Sequence, residues 1–151
     1  MIQRIQTIFL LIATILSCLL FFFPLEELFN ANSGTYEFGV LGVSQAGNLL
    51  YSTWPLLVLV ILCTVLSVGA IFCYTDRILQ SRLCVLDILL WIGFVVMLIV
   101  YVFINDSKFE VSATSYKVTL LFPLFNIILL YMANKKILRD EQLVRSADRL
   151  R

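Results

Sequence analysis

Four long apolar runs, at residues 5–23, 54–74, 83–104 and 116–133, constrain this chain more than any motif in it. A helix needs about 20 such residues to cross roughly 30 Å of hydrocarbon, and each run is long enough, the first and last with little to spare. Composition agrees. Of the 151 residues 61% are hydrophobic and 14% charged, and the mean hydropathy is +0.98; a soluble domain carries about 45–50% apolar and about 25% charged residues. The expected fold is an all-α membrane protein, a single domain over residues 1–151 built as an antiparallel four-helix transmembrane bundle with crossings near ~20°.

The first run follows Arg4, and "ILSC" faintly resembles a lipoprotein cleavage box. Five apolar residues follow Cys18, whereas a processed chain would begin polar, and a signal h-region is only about 7–15 residues long. A retained span is expected. The second run opens on "TWP", with Pro55 where a first helical turn tolerates it. "TDRILQSR" reads as a short polar hinge before the third run, and "NDSKFE" marks that run's exit.

Lysine and arginine set the orientation. With both termini inside, Arg4, Arg77, Arg82, Lys135, Lys136, Arg139, Arg145, Arg149 and Arg151 are cytoplasmic, and of the 11 basic residues only Lys108 and Lys117 lie outside. The reverse topology would violate the positive-inside bias. The expected location is therefore the cytoplasmic (inner) membrane, multi-pass, N-in and C-in. Outer loops then cover 24–53 and 105–115, and a cytoplasmic tail covers 134–151. In "TYEFGVLGV" the residues Tyr36, Phe38 and Val40 alternate with Thr35, Glu37 and Gly39, and "KFEVS" alternates too. Alternation is a strand pattern, and an isolated hairpin is marginal. A small extracytoplasmic β-cap joining both loops is expected, with Gly39, Gly42 and Gly47 as turns.

Polar side chains inside the runs need a reason. Asp87 and Tyr131 fall at a similar shallow depth, roughly 7 and 6 Å from the cytoplasmic end at 1.5 Å per residue. Asp87 reads either as a proton or cation site, or as an interfacial acid paired with Tyr131 or with Arg82 or Arg77. Asn126 lies deeper, level with Thr14 and bracketed by Thr64 and Ser67, so a polar layer across three helices is expected. Such a layer is ordinarily interhelical glue. Pro123 is expected to free the Thr119 carbonyl and kink the fourth span beside Asn126, which could instead shape a ligand pocket. Cys63, Ser67, Ala70 and Tyr74 form a small-residue packing stripe.

Several function classes are excluded. The chain has no histidine, which removes His-ligated haem, His-based metal sites and the commonest general base. Cys18, Cys63, Cys73 and Cys84 form no CxxC pair and are expected to be buried and apolar, unlike the water-accessible cysteines of membrane disulfide-forming enzymes. No catalytic residue, cofactor or metal is expected, and the protein is read as not an enzyme. A net charge of +1 offers nothing to nucleic acid.

The tail departs from the rest of the chain. Lys135, Lys136 and Arg139 suit anionic lipid headgroups, worth about 1 kcal/mol each near the surface. Beyond them Leu143, Val144, Ala147 and Leu150 share one helical arc, while Arg145, Arg149 and Ser146 point away, and Asp148 lies within the same amphipathic segment. This cytoplasmic amphipathic helix is expected to dock on the membrane, the bundle or a partner protein. The segments "MIQRIQTIFL", "YTDRILQSRLC", "LLFPLF" and "DEQLVRSADRLR" together resemble a domain-of-unknown-function family of small four-span integral membrane proteins found in Bacteroidota. That resemblance implies an inner-membrane four-helix architecture and no activity. Two functions are carried forward: a non-enzymatic adaptor or assembly factor docking a partner through its tail, or a small transporter or channel using Asp87 and the Asn126 layer. Homo-oligomerisation stays open.

Overall fold

The structure, a computed structural model, describes residues 3–30, 34–73, 76–108 and 113–148. Four helices dominate: α1 (Gln3–Leu19), α2 (Trp54–Phe72), α3 (Arg77–Lys108) and α4 (Phe122–Asp148). Their neighbours run in a ring, α1 against α2, α2 against α3, α3 against α4, and α4 back against α1. Three helical segments are long and apolar enough to cross a membrane, at Trp54–Phe72, Arg77–Lys108 and Val118–Val144, while the apolar part of α1 is shorter, at Gln6–Leu19.

Every helix buries a seam of alternating three- and four-residue steps. The seam is Gln6, Leu10, Ala13, Ser17 and Leu20 along and just beyond α1, and Leu56, Val60, Cys63, Ser67 and Ala70 on α2. On α3 it is Gln80, Cys84, Asp87, Trp91, Phe94, Leu98 and Asn105, and on α4 Asn126, Leu130, Ala133, Ile137 and Asp140. That 3.5-residue period is the signature of knobs-into-holes packing. The outward faces carry Ile8, Ile15, Val65, Leu89, Val96 and Ile128, all exposed. Apolar side chains inside and outside the same helix are the pattern of a chain solvated by lipid.

The described residues of the 24–53 segment are folded. They form β1 (Glu26–Asn30), β2 (Gly34–Phe38), β3 (Gly42–Gln45) and β4 (Asn48–Ser52), which join β5 (Ala113–Tyr116) in one antiparallel sheet ordered β4-β3-β2-β1-β5. Both expected loops therefore contribute to it. Tyr36 and Phe38 face the core, as their alternation requires. Ala46 and Gly47, both at positive φ (50° and 82°), close the β3–β4 hairpin in the conformation a two-residue turn demands. Gly42 is obligatory for a different reason: a Cβ there would stand 2.2 Å from the Tyr51 carbonyl oxygen. The sheet is tied to α2 by Thr53, whose hydroxyl donates to the Val40 carbonyl at 3.0 Å.

Four expectations change. The polar hinge is shorter, because α3 already begins at Arg77 and its 32 residues run through the 83–104 span without a break. Of "KFEVS", residues 109–112 lie outside the described residues, and the strand on that side is β5, which takes Tyr116 from the fourth run. Pro123 sits in the first turn of α4, after a 3-10 turn at Val118–Leu121; there its missing N–H is harmless, so it starts the helix instead of kinking it. Cys63 and Cys84 are buried, but Cys18 is exposed and Cys73 half-buried, since neither of the latter occupies a seam position.

Candidate functional site

Polar seam residues meet in pairs, because antiparallel neighbours bring matching levels together. Nearest the end that carries Arg77 and Lys135, the Gln6 amide donates to the Asp140 carboxylate. Arg77 donates to the Asp140 carbonyl at 3.2 Å, Gln80 to the Ala70 carbonyl at 2.9 Å and Ser81 to the Asn134 side chain at 2.6 Å. These bonds lace all four helices at one end. Two shallow grooves flank the lace, lined by Arg77, Ile78, Arg82 and Glu141, with Val144 on one side and Leu138 on the other.

One layer further in lies Asp87, 1% exposed. The Ser67 hydroxyl donates to its Oδ2 at 2.5 Å, and the Cys63 thiol also bonds to it; Oδ1 has no partner. Asp87 is thus held by two side chains of α2, and neither Tyr131 nor an arginine reaches it. Tyr131 is 59% exposed on the outer face of α4, and Arg82 is exposed. Seam period explains the difference: Tyr131 falls one residue past Leu130, on the lipid side.

The expected three-helix layer resolves into separate contacts. Asn126 donates to Ser17 on α1 at 3.3 Å, while Thr14 and Thr64 return their hydroxyls to their own helices, at Leu10 and Val60. Such back-bonding satisfies a hydroxyl without a neighbour. Ser67 belongs to Asp87 instead. Beyond these pairs the interior closes. Trp91, Phe94 and Leu98 fill the next levels, the first two with ring centroids 5.4 Å apart in an edge-to-face contact.

At the sheet end the geometry is different. Glu26 on β1 shares the buried face with Leu28, and its cross-strand partners are Phe38 and Tyr116. It is 0% exposed, and neither carboxylate oxygen has a hydrogen-bond partner. Burial first, and then the negative charge of Asp106, push its carboxyl from 4.5 up to about 7. Asn105, the last seam residue of α3, is also 0% exposed with both amide atoms unpartnered, and Asp106 Oδ1 is buried and unpartnered. By contrast Glu27, one residue on and facing the other way, pairs with Lys117 at 2.8 Å. Among the described residues no group of three or more His, Cys, Asp or Glu could hold a metal ion.

Ser17, Glu26 and Asn105 escape the sequence reading. Each had a legible signal: Ser17 and Asn105 continue the 3–4 seam of their helices, and Glu26 alternates in phase with Leu28. The signal was hidden because a seam is recognised only once its apolar members are separated from the equally apolar lipid face. In the tail, α4 continues without interruption to Asp148. Leu143 and Val144 are exposed on it. The side chains of Arg145, Ala147 and Asp148, and all of Arg149 and Leu150, lie outside the described residues.

Comparison places this geometry in a family. No curated protein matches the chain. A family model described as a domain of unknown function, DUF4293, matches residues 2–150, and the chain belongs to that family.

Proposed function

We propose that this DUF4293 member is a four-span protein of the cytoplasmic membrane, with both termini cytoplasmic, and that it works as a non-enzymatic adaptor or assembly factor. The observation that carries the reading is α4 itself. It runs on as helix past Asp140, the last seam residue among its described side chains, and carries Leu143 and Val144 exposed beside a groove lined by Arg77, Arg82 and Glu141. A basic stop after a span needs no such extension. The distribution of Lys and Arg supports the orientation, and the lipid-facing side chains of α1 support its place as a fourth span although it is short.

The test is a photocrosslinker at Val144 in the full chain in its own membrane. A discrete protein adduct is expected, lost in Leu143→Ser while membrane insertion is unchanged. Adducts to lipid alone, insensitive to Leu143→Ser, would end the adaptor reading. A transporter or channel is the second reading, and the unpartnered Oδ1 of Asp87 is what favours it. Against it stands the packing of Trp91 and Phe94 between Asp87 and the sheet end. Proton or ion flux in liposomes that Asp87→Asn removes would restore it.

A further inference from the structure

Arg77 and Arg82 of α3 and Glu141 of α4 line one cavity of about 390 Å³, on the Leu138 side of the helix lace. Sites for small ligands span about 300–1,000 Å³. The charges in its walls do not cancel, since two guanidinium groups stand against one carboxylate. Arg77 is fixed in place, because it donates to the Asp140 carbonyl at 3.2 Å. Arg82 takes no part in the lace and is exposed. The rest of the wall is partly apolar: Ile78 and Leu138 line the same cavity, and both are exposed. Arg82 also shares its face of α3 with Leu86 and Leu89, at i+4 and i+7, which are 47% and 63% exposed. A charged cavity that continues into an outward apolar helix face suits a ligand with a polar head and a hydrocarbon chain.

We propose that this groove between α3 and α4 binds a phospholipid whose headgroup carries both a phosphate and a primary ammonium, of the phosphatidylethanolamine type. The arginines donate to the phosphate oxygens, which a guanidinium fork matches well. The Glu141 carboxylate accepts from the ammonium, and an acyl chain lies along Leu86 and Leu89. The carboxylate is what selects the headgroup. A purely anionic head satisfies the arginines but sets its charge against Glu141, and a choline head has no N–H to offer it. Lys135, Lys136 and Arg139, where the sequence pattern expects anionic headgroups, line neither groove; they add a general attraction to the membrane surface. The proposal rests on the membrane placement given above and not on the adaptor role, since neither Leu143 nor Val144 lines this cavity.

The full chain is reconstituted in phosphatidylcholine nanodiscs that contain a graded fraction of phosphatidylethanolamine or phosphatidylglycerol with the same acyl chains. Native mass spectrometry then weighs the lipid that stays bound when the protein is released. Phosphatidylethanolamine is retained saturably, in preference to both other lipids by about tenfold or more, as expected of charge-assisted hydrogen bonds. Arg82→Gln abolishes that retention, and the exposed position of Arg82 keeps the bundle assembled. Glu141→Gln removes the preference over phosphatidylglycerol, and Lys135→Gln leaves it intact. An excess of glycerophosphoethanolamine, the same headgroup without chains, displaces nothing. Equal retention of phosphatidylethanolamine and phosphatidylcholine, or retention unchanged in Arg82→Gln, overturns the site. A preference that survives Glu141→Gln overturns the ammonium assignment, and displacement by the soluble headgroup overturns the lipid in favour of a free phosphate ester. A wild-type chain that does not enter nanodiscs at all overturns the membrane placement itself, an outcome distinct from all of these.

Discussion

Asp87 and Glu26 are both carboxyl groups removed from solvent, yet only one of them has been given partners. Asp87 stands on a helix seam, and the seam of the antiparallel neighbour delivers Ser67 and Cys63 at its level. Glu26 stands on the buried face of a strand, whose two-residue period aligns no donors with acceptors on the helices. Two helices of equal repeat can register polar groups many times along their length. A sheet laid across a helix end meets it once, and whatever acid falls there must find its counterpart outside the chain or retain a proton.

The strongest way to break this contrast is to remove what separates the two ends. Asp87 and Asn105 are 18 positions apart on α3, about 27 Å at 1.5 Å per residue, and Trp91, Phe94 and Leu98 fill the interval. Trp91→Ala should lower stability by about 3–5 kcal/mol, the usual result of emptying an aromatic site in a packed core. Unfolding of the detergent-solubilised chain measures it. A loss under about 1 kcal/mol would mean that this level is loosely packed, and the two ends would then be connected rather than insulated.

The next test acts on Glu26 directly. Its carboxyl lies near 7 in the folded chain against 4.5 ordinarily, so between those values the folded form binds more protons than the unfolded one. Stability from this group is complete below about 4.5 and is lost as the pH rises through about 7. At about 1.4 kcal/mol per unit the whole change is on the order of 3 kcal/mol. The unfolding midpoint of the wild type should therefore fall between pH 5 and 8. Glu26→Gln should flatten that fall, and an identical slope in both would assign the pH dependence to other groups. On the other side of the comparison, Ser67→Ala leaves Asp87 Oδ2 without its hydroxyl donor. A loss of about 1–3 kcal/mol is expected, with a smaller loss for Cys63→Ala because a thiol donates weakly.

The same contrast explains what could be read in advance. Run length located three helices well, and alternation at Tyr36 and Phe38 located a strand, because each signal is local. Tyr131 and Thr14 were placed by depth alone, and depth is only one coordinate of a helix. Tyr131 shares a level with Asp87 but not a face, and Thr14 stands one residue from the Ala13 seam position. Inside lipid the seam cannot be found from hydrophobicity, since both faces are apolar; the polar exceptions at Gln6, Ser17, Gln80, Asp87, Asn105, Asn126 and Asp140 mark it instead. The pairing of β5 with β1 joins segments some 90 residues apart (Glu26 against Tyr116). No local period encodes that.

The smallest effect sharpens the rule that seams pair polar groups for packing. If Asn126 and Ser17 are glue, their coupling in a double-mutant cycle should be near the 0.6 kcal/mol or so typical of hydrogen bonds between helices in lipid. Asn126→Ala alone should be mild, because the Ser17 hydroxyl also donates to the Ala13 carbonyl at 2.8 Å and keeps that bond. Asn126→Leu should be tolerated as well. A coupling several times larger would be informative in the opposite direction, since Asn126 Oδ1 is buried and unpartnered. An amide that held its place so firmly with half its capacity unused would resemble Glu26 more than Asp87. The division between a paired helical interior and an unpaired sheet end would then have to be redrawn one layer deeper.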